Sequence, residues 1–325
     1  MTPTTPARFF RSSASALAPR LLAAALLCAP MAQASTAVCS GAAPSGELTA
    51  TRVPGTAPSG SEPGLYEGPV WIGDALYFSD FTFGPGFPSR IQRLGPDGTL
   101  TTALADSGSN GLAVDARGNI VAANHKAKGV SRVDLAGAKR ILIAGRHEGK
   151  VFNSPNDVAI AADGTIYFTD PTFQRAAAPG GQDATRVYRV TPGGTVTVVE
   201  DGLANPNGIA LSPAGETLYV NGGGGGGVLR AYPIEGGVPG KGRDLVAGLE
   251  APDGMTVDCL GNIYVTEHTA QRVRVFSPAG KEIALIRVDA NITNAAFGGA
   301  DGKTLYLTGA GALWQLPLGL SGHPY

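Results

Sequence analysis

The apolar residues of this chain occur in short runs that are separated by turn residues. The runs are rich in β-branched and aromatic residues, a pattern typical of β-strands, and glycine and proline are abundant between them. No long segment has the apolar spacing of an amphipathic helix. The pattern therefore predicts an all-β protein with many short strands.

One phrase recurs six times: a polar residue, a small or short residue, an apolar strand, a turn and a second apolar strand. The copies open at Glu67, Asn110, Asn156, Asn207, Asp253 and Asn294. Successive copies are 43, 46, 51, 46 and 41 residues apart, a period typical of one propeller blade. Each interval also holds two further strand-like runs, so we predict a six-bladed β-propeller with four strands per blade. Two stacked β domains are the alternative, which the even spacing disfavours.

The sixth copy is one strand short. The chain ends soon after the apolar run 312–318, whereas the strand-like segment 47–53 precedes the first copy. We predict that this N-terminal strand completes blade six, because the pairing would cover an open sheet edge and join the two ends of the chain. The predicted propeller spans residues 46–320.

Residues 1–34 have the features of a secretory signal peptide. Arginines precede an apolar run and a small-residue cleavage sequence, namely Arg8, Arg11 and Arg20, then 21–29, then Ala32-Gln33-Ala34. The run is too short to span a bilayer, so we expect no membrane partner. We expect cleavage after about Ala34, a flexible segment at 35–45, and a periplasmic or secreted protein.

Two cysteines remain once Cys28 has left with the signal peptide. Cys39 and Cys259 would then reside in a compartment where disulfides persist. A disulfide between them and two free thiols are both compatible with the sequence.

The charge balance bears on partners. A formal net charge of −1 provides no basic surface to displace counterions from nucleic acid. We therefore expect a small-molecule substrate, no nucleic-acid partner, and a monomer or weak oligomer.

The repeat also predicts a site. Rotation about the propeller axis would bring the six opening side chains together at one mouth of the central channel. Six polar side chains in one space, two of them carboxylates, are costly to desolvate unless a cation or water satisfies them. Oxygen ligands without His or Cys favour Ca²⁺ first, then Mg²⁺ or Mn²⁺, with Zn²⁺ least favoured. Asn and Asp at strand entrances can also be ordinary turn residues, but Glu67 is a poor turn residue.

Several phrases together resemble a known family. They are Glu67-Gly-Pro-Val-Trp, Asn153-Ser-Pro-Asn-Asp, Phe168-Thr-Asp-Pro, Pro206-Asn-Gly and Pro252-Asp-Gly-Met. In this combination and order they resemble the gluconolactonase, regucalcin (senescence marker protein) and luciferin-regenerating enzyme superfamily. Gly149-Lys150 and Phe297-Gly-Gly bring the chain closest to the bacterial gluconolactonases.

The resemblance implies a six-bladed propeller with one catalytic divalent cation. The matching positions for its ligands are Glu67, Asn156, Asn207 and Asp253. The remaining ring residues, Asn110 and Asn294, we assign to the substrate or to contacts behind the ligands. The resemblance also places His125 and His268 near the substrate. For the two histidines, a surface or packing role is equally compatible with the sequence.

The chemistry that this arrangement implies is hydrolysis of a sugar lactone. A divalent cation would polarise the lactone carbonyl, and Asp253 would act as general base for the attacking water. Hydrolysis of a phosphotriester or fluorophosphate is one alternative, because diisopropylfluorophosphatase resembles this chain in fold and ligand types. A propeller that only binds a metal or ligand is the other.

Overall fold

The structure is a computed structural model of the 325-residue chain and describes residues 1–3, 39–56, 64–137, 139–173, 180–223 and 226–323. Two units are distinguished, Met1–Val38 and Cys39–Tyr325, and the strands belong to the second. Apart from residues 1–3, the predicted signal peptide lies outside the described residues. Within the described ranges, no helix is long and apolar enough to cross a bilayer.

The strands of the described residues form six blades, which confirms the predicted six-bladed propeller. Two N-terminal strands are β1 (Gly46–Thr49) and β2 (Thr51–Arg52). Blade one contains β3 (Gly64–Ile72), β4 (Ala75–Thr82), β5 (Ser89–Leu94) and β6 (Leu100–Ala105), and blade two contains β7 (Ser109–Val114), β8 (Ile120–Asn124), β9 (Gly129–Asp134) and β10 (Lys139–Ala144). A small hairpin follows, β11 (Arg146–His147) and β12 (Lys150–Val151).

The remaining strands repeat this order. Blade three contains β13 (Val158–Ile160), β14 (Ile166–Asp170), β15 (Arg186–Val190) and β16 (Val196–Glu200). Blade four contains β17 (Ile209–Leu211), β18 (Thr217–Gly222), β19 (Gly227–Glu235) and β21 (Arg243–Leu249), with the short β20 (Val238–Pro239) paired to β19. Blade five contains β22 (Pro252–Val257), β23 (Ile263–Glu267), β24 (Arg272–Phe276) and β25 (Glu282–Arg287), and blade six contains β26 (Ile292–Gly298), β27 (Thr304–Gly309) and β28 (Leu313–Pro317).

The first strand of each blade contacts the first strands of both neighbouring blades, so these six strands surround the central axis. Burial decreases outward, because β7 and β26 are buried on both faces, whereas β10 is mostly exposed and β6 has no buried residue. Apolar clusters lie between blades, as where Val70 of blade one packs with Leu112 and Ile120 of blade two. The core is therefore a ring of interfaces between blades.

The innermost strands of four blades change register close to the residue that opens the repeat. The shifts occur at 67–70, 109–112, 252–255 and 292–295. A bulge of this kind bends the strand and re-aims the side chain beside it. It thereby turns the opening side chain relative to the regular alternation of the strand.

The N-terminal segment closes the propeller differently from the prediction. Only β2 pairs with β28 of blade six, whereas β1 pairs in parallel with β25 of blade five. The prediction that an N-terminal strand completes blade six is confirmed by β2, whereas the prediction that all of 47–53 belongs to that blade was wrong. The chain passes between the blades at Ala50, which is buried in an apolar cluster with Ile286 and Trp314. A segment lying along the seam cannot pair with one blade throughout its length.

A disulfide joins Cys39 to Cys259, two residues that the sequence alone left open. The bond anchors the N-terminal segment to the turn between β22 and β23. Close by, the C-terminal residues are tied to the same turn, since the Cys259 amide donates to Ser321 O at 3.0 Å. Both ends of the second unit are therefore fastened to blade five.

Replacing both cysteines with serine should lower stability, because the disulfide closes a loop over a separation of 220 residues. We expect a loss of about 2 to 5 kcal/mol in the free energy of unfolding, measured by urea denaturation. Reduction of the wild type should give the same shift, and reduction should not change the Cys39→Ser/Cys259→Ser variant. An unchanged midpoint after reduction would contradict the stabilising role.

Candidate active site

The six residues that open the repeats lie side by side in a closed ring at one end of the innermost strands. Asn294 of blade six donates from Nδ2 to Glu67 Oε2 of blade one at 3.2 Å. Other neighbours meet through backbone hydrogen bonds, namely Gly111 N to Asn156 O at 2.7 Å and Gly208 N to Asp253 O at 2.9 Å. The structure thus brings the two carboxylates and four amides of the repeat together.

Glycines after the ring residues permit this close approach. A Cβ atom on Gly254 would lie 2.0 Å from Asn294 Cγ, and one on Gly208 would lie 2.4 Å from Asp253 O. Any side chain at these positions would push the neighbouring blade away. The recurring Asn-Gly and Asp-Gly pairs therefore serve contact between blades.

Hydroxyl groups on the second strands fix the backbone of the ring. Ser79 donates to Asn110 O of the next blade at 2.6 Å, and Thr169 donates to Asn207 O of the next blade at 2.6 Å. Because these groups are buried, the hydrogen bonds are shielded from competing water. Blades one and three therefore position the ring residue of the blade that follows each of them.

Glu67 is the most constrained carboxylate of the predicted ligand set. Its Oε2 accepts from Gly68 N at 2.9 Å and from the Asn294 amide, and the residue is buried. Burial, followed by the negative charges of Asp253 and Asp157, raises the pKa of Glu67 well above its ordinary value. A cation placed among these groups would oppose all three effects.

Asp157 is a third carboxylate beside the ring, and it is buried. The sequence reasoning did not assign it. Its oxygens accept from Val158 N at 2.9 Å, Ile209 N at 3.3 Å and Asn294 Nδ2 at 3.4 Å. Burial is the largest cause that raises its pKa to about 7. The signal was available in the repeat, because Asp157 occupies the second position, where four of the six copies have glycine.

Two amide side chains of the ring have an oxygen without a hydrogen-bond partner among the described residues. Asn207 Oδ1 and Asn110 Oδ1 are buried and have no hydrogen-bond partner among the described residues. Asn207 Nδ2 donates to Pro252 O at 3.4 Å, which leaves its carbonyl oxygen free for a ligand. Buried oxygens without a partner are costly and indicate a missing ligand, such as a cation or water.

The donor set therefore fits a hard cation. Glu67, Asp253, Asn156 and Asn207 supply carboxylate and amide oxygens, the ligands that Ca²⁺ prefers. Over the described ranges, no cluster of three or more His, Cys, Asp or Glu side chains is arranged to hold a metal. A cation at this ring must consequently take amide oxygens as part of its shell.

His268 lies beside Asp253. The His268 Nδ1 atom is 3.4 Å from Asp253 Oδ2 and 2.7 Å from Ile292 O. Burial lowers the pKa of His268, but the hydrogen bond and charge of Asp253 outweigh burial and raise it. The side chains of His268 and Asp253 are 26% and 13% exposed, so this pair is more accessible than Glu67.

His125 is packed inside the protein. It is 1% exposed, its Nε2 lies 3.2 Å from Asn110 Nδ2, and its ring packs against Phe87 at 4.6 Å. Burial, and then the positive charge of Lys128, lower its pKa to about 3. His125 therefore lies behind Asn110, away from solvent.

Comparison with known proteins shows which family this chain resembles. Residues 65–311 match the family described as "SMP-30/Gluconolactonase/LRE-like region". A gluconolactonase of Zymomonas mobilis subsp. mobilis is 31% identical over 279 residues, covering 74% of this chain and 75% of the relative. Pentonolactonase XacC of Haloferax volcanii is 29% identical over 259 residues, covering 76% and 82%. The solved structure of the gluconolactonase XC5397 from Xanthomonas campestris has a TM-score of 0.72 and 30% identity, covering 85% of this chain and 99% of that chain.

The Gly254→Ala substitution should disturb the ring, because the new methyl group would overlap the Asn294 amide. We expect a loss of about 1 to 3 kcal/mol in the free energy of unfolding, measured by urea denaturation. Gly193→Ala is the matched control, since a Cβ there would have only an ordinary contact at 3.8 Å. Equal stability of the two variants would show that the approach of the blades is not constrained at Gly254.

His125 should make the free energy of unfolding depend on pH in the acidic range. Its pKa falls from an ordinary 6.5 to about 3 on folding, so below pH 6.5 the unfolded chain binds a proton that the folded chain does not. Its contribution is present above pH 6.5 and is lost as the pH falls toward 3, by about 2 kcal/mol at pH 5. In urea denaturation, the loss of stability from pH 7 to pH 5 should be smaller by that amount in His125→Phe. An identical loss in both proteins would exclude this linkage.

Proposed function

This chain belongs to the SMP-30/Gluconolactonase/LRE-like family, and from that premise we propose that it is a hydrolase that opens a lactone. The observation that carries the proposal is the largely buried ring of carboxylates and amides, in a chain 31% identical to a gluconolactonase. The Zymomonas and Haloferax relatives are named for lactones of sugar acids. We therefore propose a sugar lactone as the substrate class.

The reaction is proposed to use one divalent cation, with Ca²⁺ favoured over Mg²⁺, Mn²⁺ or Zn²⁺. Glu67, Asn156, Asn207 and Asp253 would hold it, supported by the unpaired Asn207 Oδ1 and the raised pKa of Glu67. When bound, such an ion acts as a Lewis acid toward the lactone carbonyl, worth several kcal/mol. The two ligand carboxylates would balance its charge.

Asp253 is the proposed general base. Unlike Glu67, Asp253 is partly exposed, so water can reach its carboxylate. The Oδ2 atom of this carboxylate faces Nδ1 of His268. His268 donates through Nδ1 to Ile292 O, which fixes its ring beside Asp253. We assign His268 to the substrate side, where its Nε2 is left to meet a hydroxyl of the lactone.

Asn294 has a different role from a substrate ligand in this proposal. Its Nδ2 already donates toward Glu67 and Asp157. We therefore assign Asn294 to hold the Glu67 carboxylate in place, whereas Asn110 retains an unpaired oxygen for a ligand.

Export is proposed on two observations. Residues 1–34 have the sequence features of a signal peptide, and the Cys39–Cys259 disulfide suits an oxidising compartment. We propose a periplasmic or secreted enzyme that acts on a small molecule as a monomer or weak oligomer. Its location is tested by recovering the protein from the periplasm and alkylating its cysteines before and after reduction.

Removal of the cation should abolish turnover. Acid release from glucono-δ-lactone, followed by base titration at constant pH, should fall to the spontaneous rate after chelation and return with Ca²⁺. A phosphotriester in the same assay identifies the alternative hydrolase, and no acid release from any substrate identifies a binding module. Full activity in chelator would contradict the proposed cation.

Asp253→Asn should lower kcat by about 10² to 10⁴ in the same assay, because the amide cannot accept the proton of the attacking water. The exposed Asp201→Asn is the matched control and should retain wild-type activity. A variant at Asp253 that retains full kcat would remove it from the reaction.

A further inference from the structure

His125 occupies a pocket that an apolar side chain would fill equally well. Its ring packs between Phe81 and Phe87, with centroid distances of 6.2 and 4.6 Å, and only 1% of the residue is exposed. Burying polar nitrogens among aromatic rings is unfavourable unless they have partners. Packing alone does not explain a histidine here.

The chain also adopts an unusual backbone conformation next to His125. Phe87 has a φ of 52°, in the left-handed region that bulky residues rarely adopt, and its side chain is fully buried. The turn is held by a hydrogen bond from Phe87 N to Gly84 O at 3.1 Å. The blade one loop thus seals His125 from solvent, and strain of this kind is concentrated at functional sites.

The side-chain hydrogen bond of His125 is to Asn110. Asn110 Nδ2, which can only donate, lies 3.2 Å from His125 Nε2, so Nε2 is the acceptor and the ring proton is on Nδ1. Within the described part of the chain, Nδ1 has no hydrogen-bond partner. The ring is therefore held in the tautomer whose Nδ1–H is buried without a partner, and this tautomer lets Nε2 accept from Asn110.

This contact decides which atom Asn110 offers to a ligand. With Nδ2 turned toward His125, the opposite atom of the planar amide is Oδ1, which is buried and unpaired among the described residues. We infer that His125 is a positioning residue that fixes the Asn110 amide with its carbonyl oxygen toward the substrate, where it accepts a hydrogen bond from a lactone hydroxyl. The inference rests on the proposed lactonase function and adds a basis for substrate choice.

An acceptor in this place favours hydroxylated lactones. A buried oxygen that pairs with a substrate hydroxyl remains unpaired when the hydroxyl is absent, and the site then rejects the analogue. Glucono-δ-lactone carries such hydroxyls, whereas δ-valerolactone has the same ring size without them. The two compounds therefore separate recognition of the hydroxyl from opening of the ring.

The tautomer can be measured without any substrate. Nitrogen NMR of protein containing ¹⁵N-histidine, with the His125 signals assigned by their loss in His125→Phe, should show a neutral ring protonated at Nδ1 at pH 7. A ring protonated at Nε2 would place Asn110 Oδ1 toward His125 and would overturn the inference.

Kinetics test the connection to substrate choice. His125→Phe should raise KM for glucono-δ-lactone about tenfold, as expected for one lost hydrogen bond, with little change in kcat or in the rate with δ-valerolactone. Asn110→Ala should do the same, and the double variant should show no further loss, because both changes remove one interaction. His125→Gln, which retains an acceptor, should recover part of the wild-type KM.

One control variant accompanies these measurements. His147→Phe, at a half-buried histidine that packs on Tyr188, should leave both substrates unaffected. Equal losses on both lactones, or losses at residues 125 and 110 that add, would indicate a merely structural role for His125 and overturn the inference. If the wild type opens neither lactone, the proposed function and the hydroxyl contact fail together, while the tautomer measurement still decides the contact between His125 and Asn110.

Discussion

Contact between neighbouring innermost strands, at positions that tolerate no side chain, is the constraint on which the site depends. The glycines at 208 and 254 let one blade reach the ring residue of the next. Polar oxygens are thereby forced into a space from which most water is excluded. Their mutual repulsion and lost hydration are unfavourable without a ligand, which supports the cation that we propose for the ring.

The geometry is held from behind as well as from the sides. Hydroxyls of the second strands bind the backbone of the ring, and Asn294 links the carboxylates of Glu67 and Asp157. The Glu67 carboxylate and the backbone at Asn110 and Asn207 are thus held by groups on other blades. A site built across blade interfaces is as rigid as the packing of the blades.

The fold and the position of the candidate ring were predictable, because equivalent positions of the repeat are related by rotation about the propeller axis. The spacing of Glu67 and its five counterparts predicted the blades, and the resemblance to lactonases agreed with it. Asp157 was missed because it follows a ring residue and resembles a strand start, although it replaces a glycine. The division of the N-terminal strand at Ala50 could not be predicted, because it depends on how two blades share one apolar seam. The burial of His125 depends on the turned backbone at Phe87, which has no sequence signature.

The division of the N-terminal segment between two blades has a consequence for folding. Thr51 pairs with Gln315 across 264 residues, and β1 joins blade five only a few residues earlier. Neither blade can acquire its full complement of strands until almost the entire polypeptide has been synthesised, and pairings at such separation form slowly. An incomplete chain would thus lack the last seam, and its N-terminal segment would remain unpaired until blades five and six are both present.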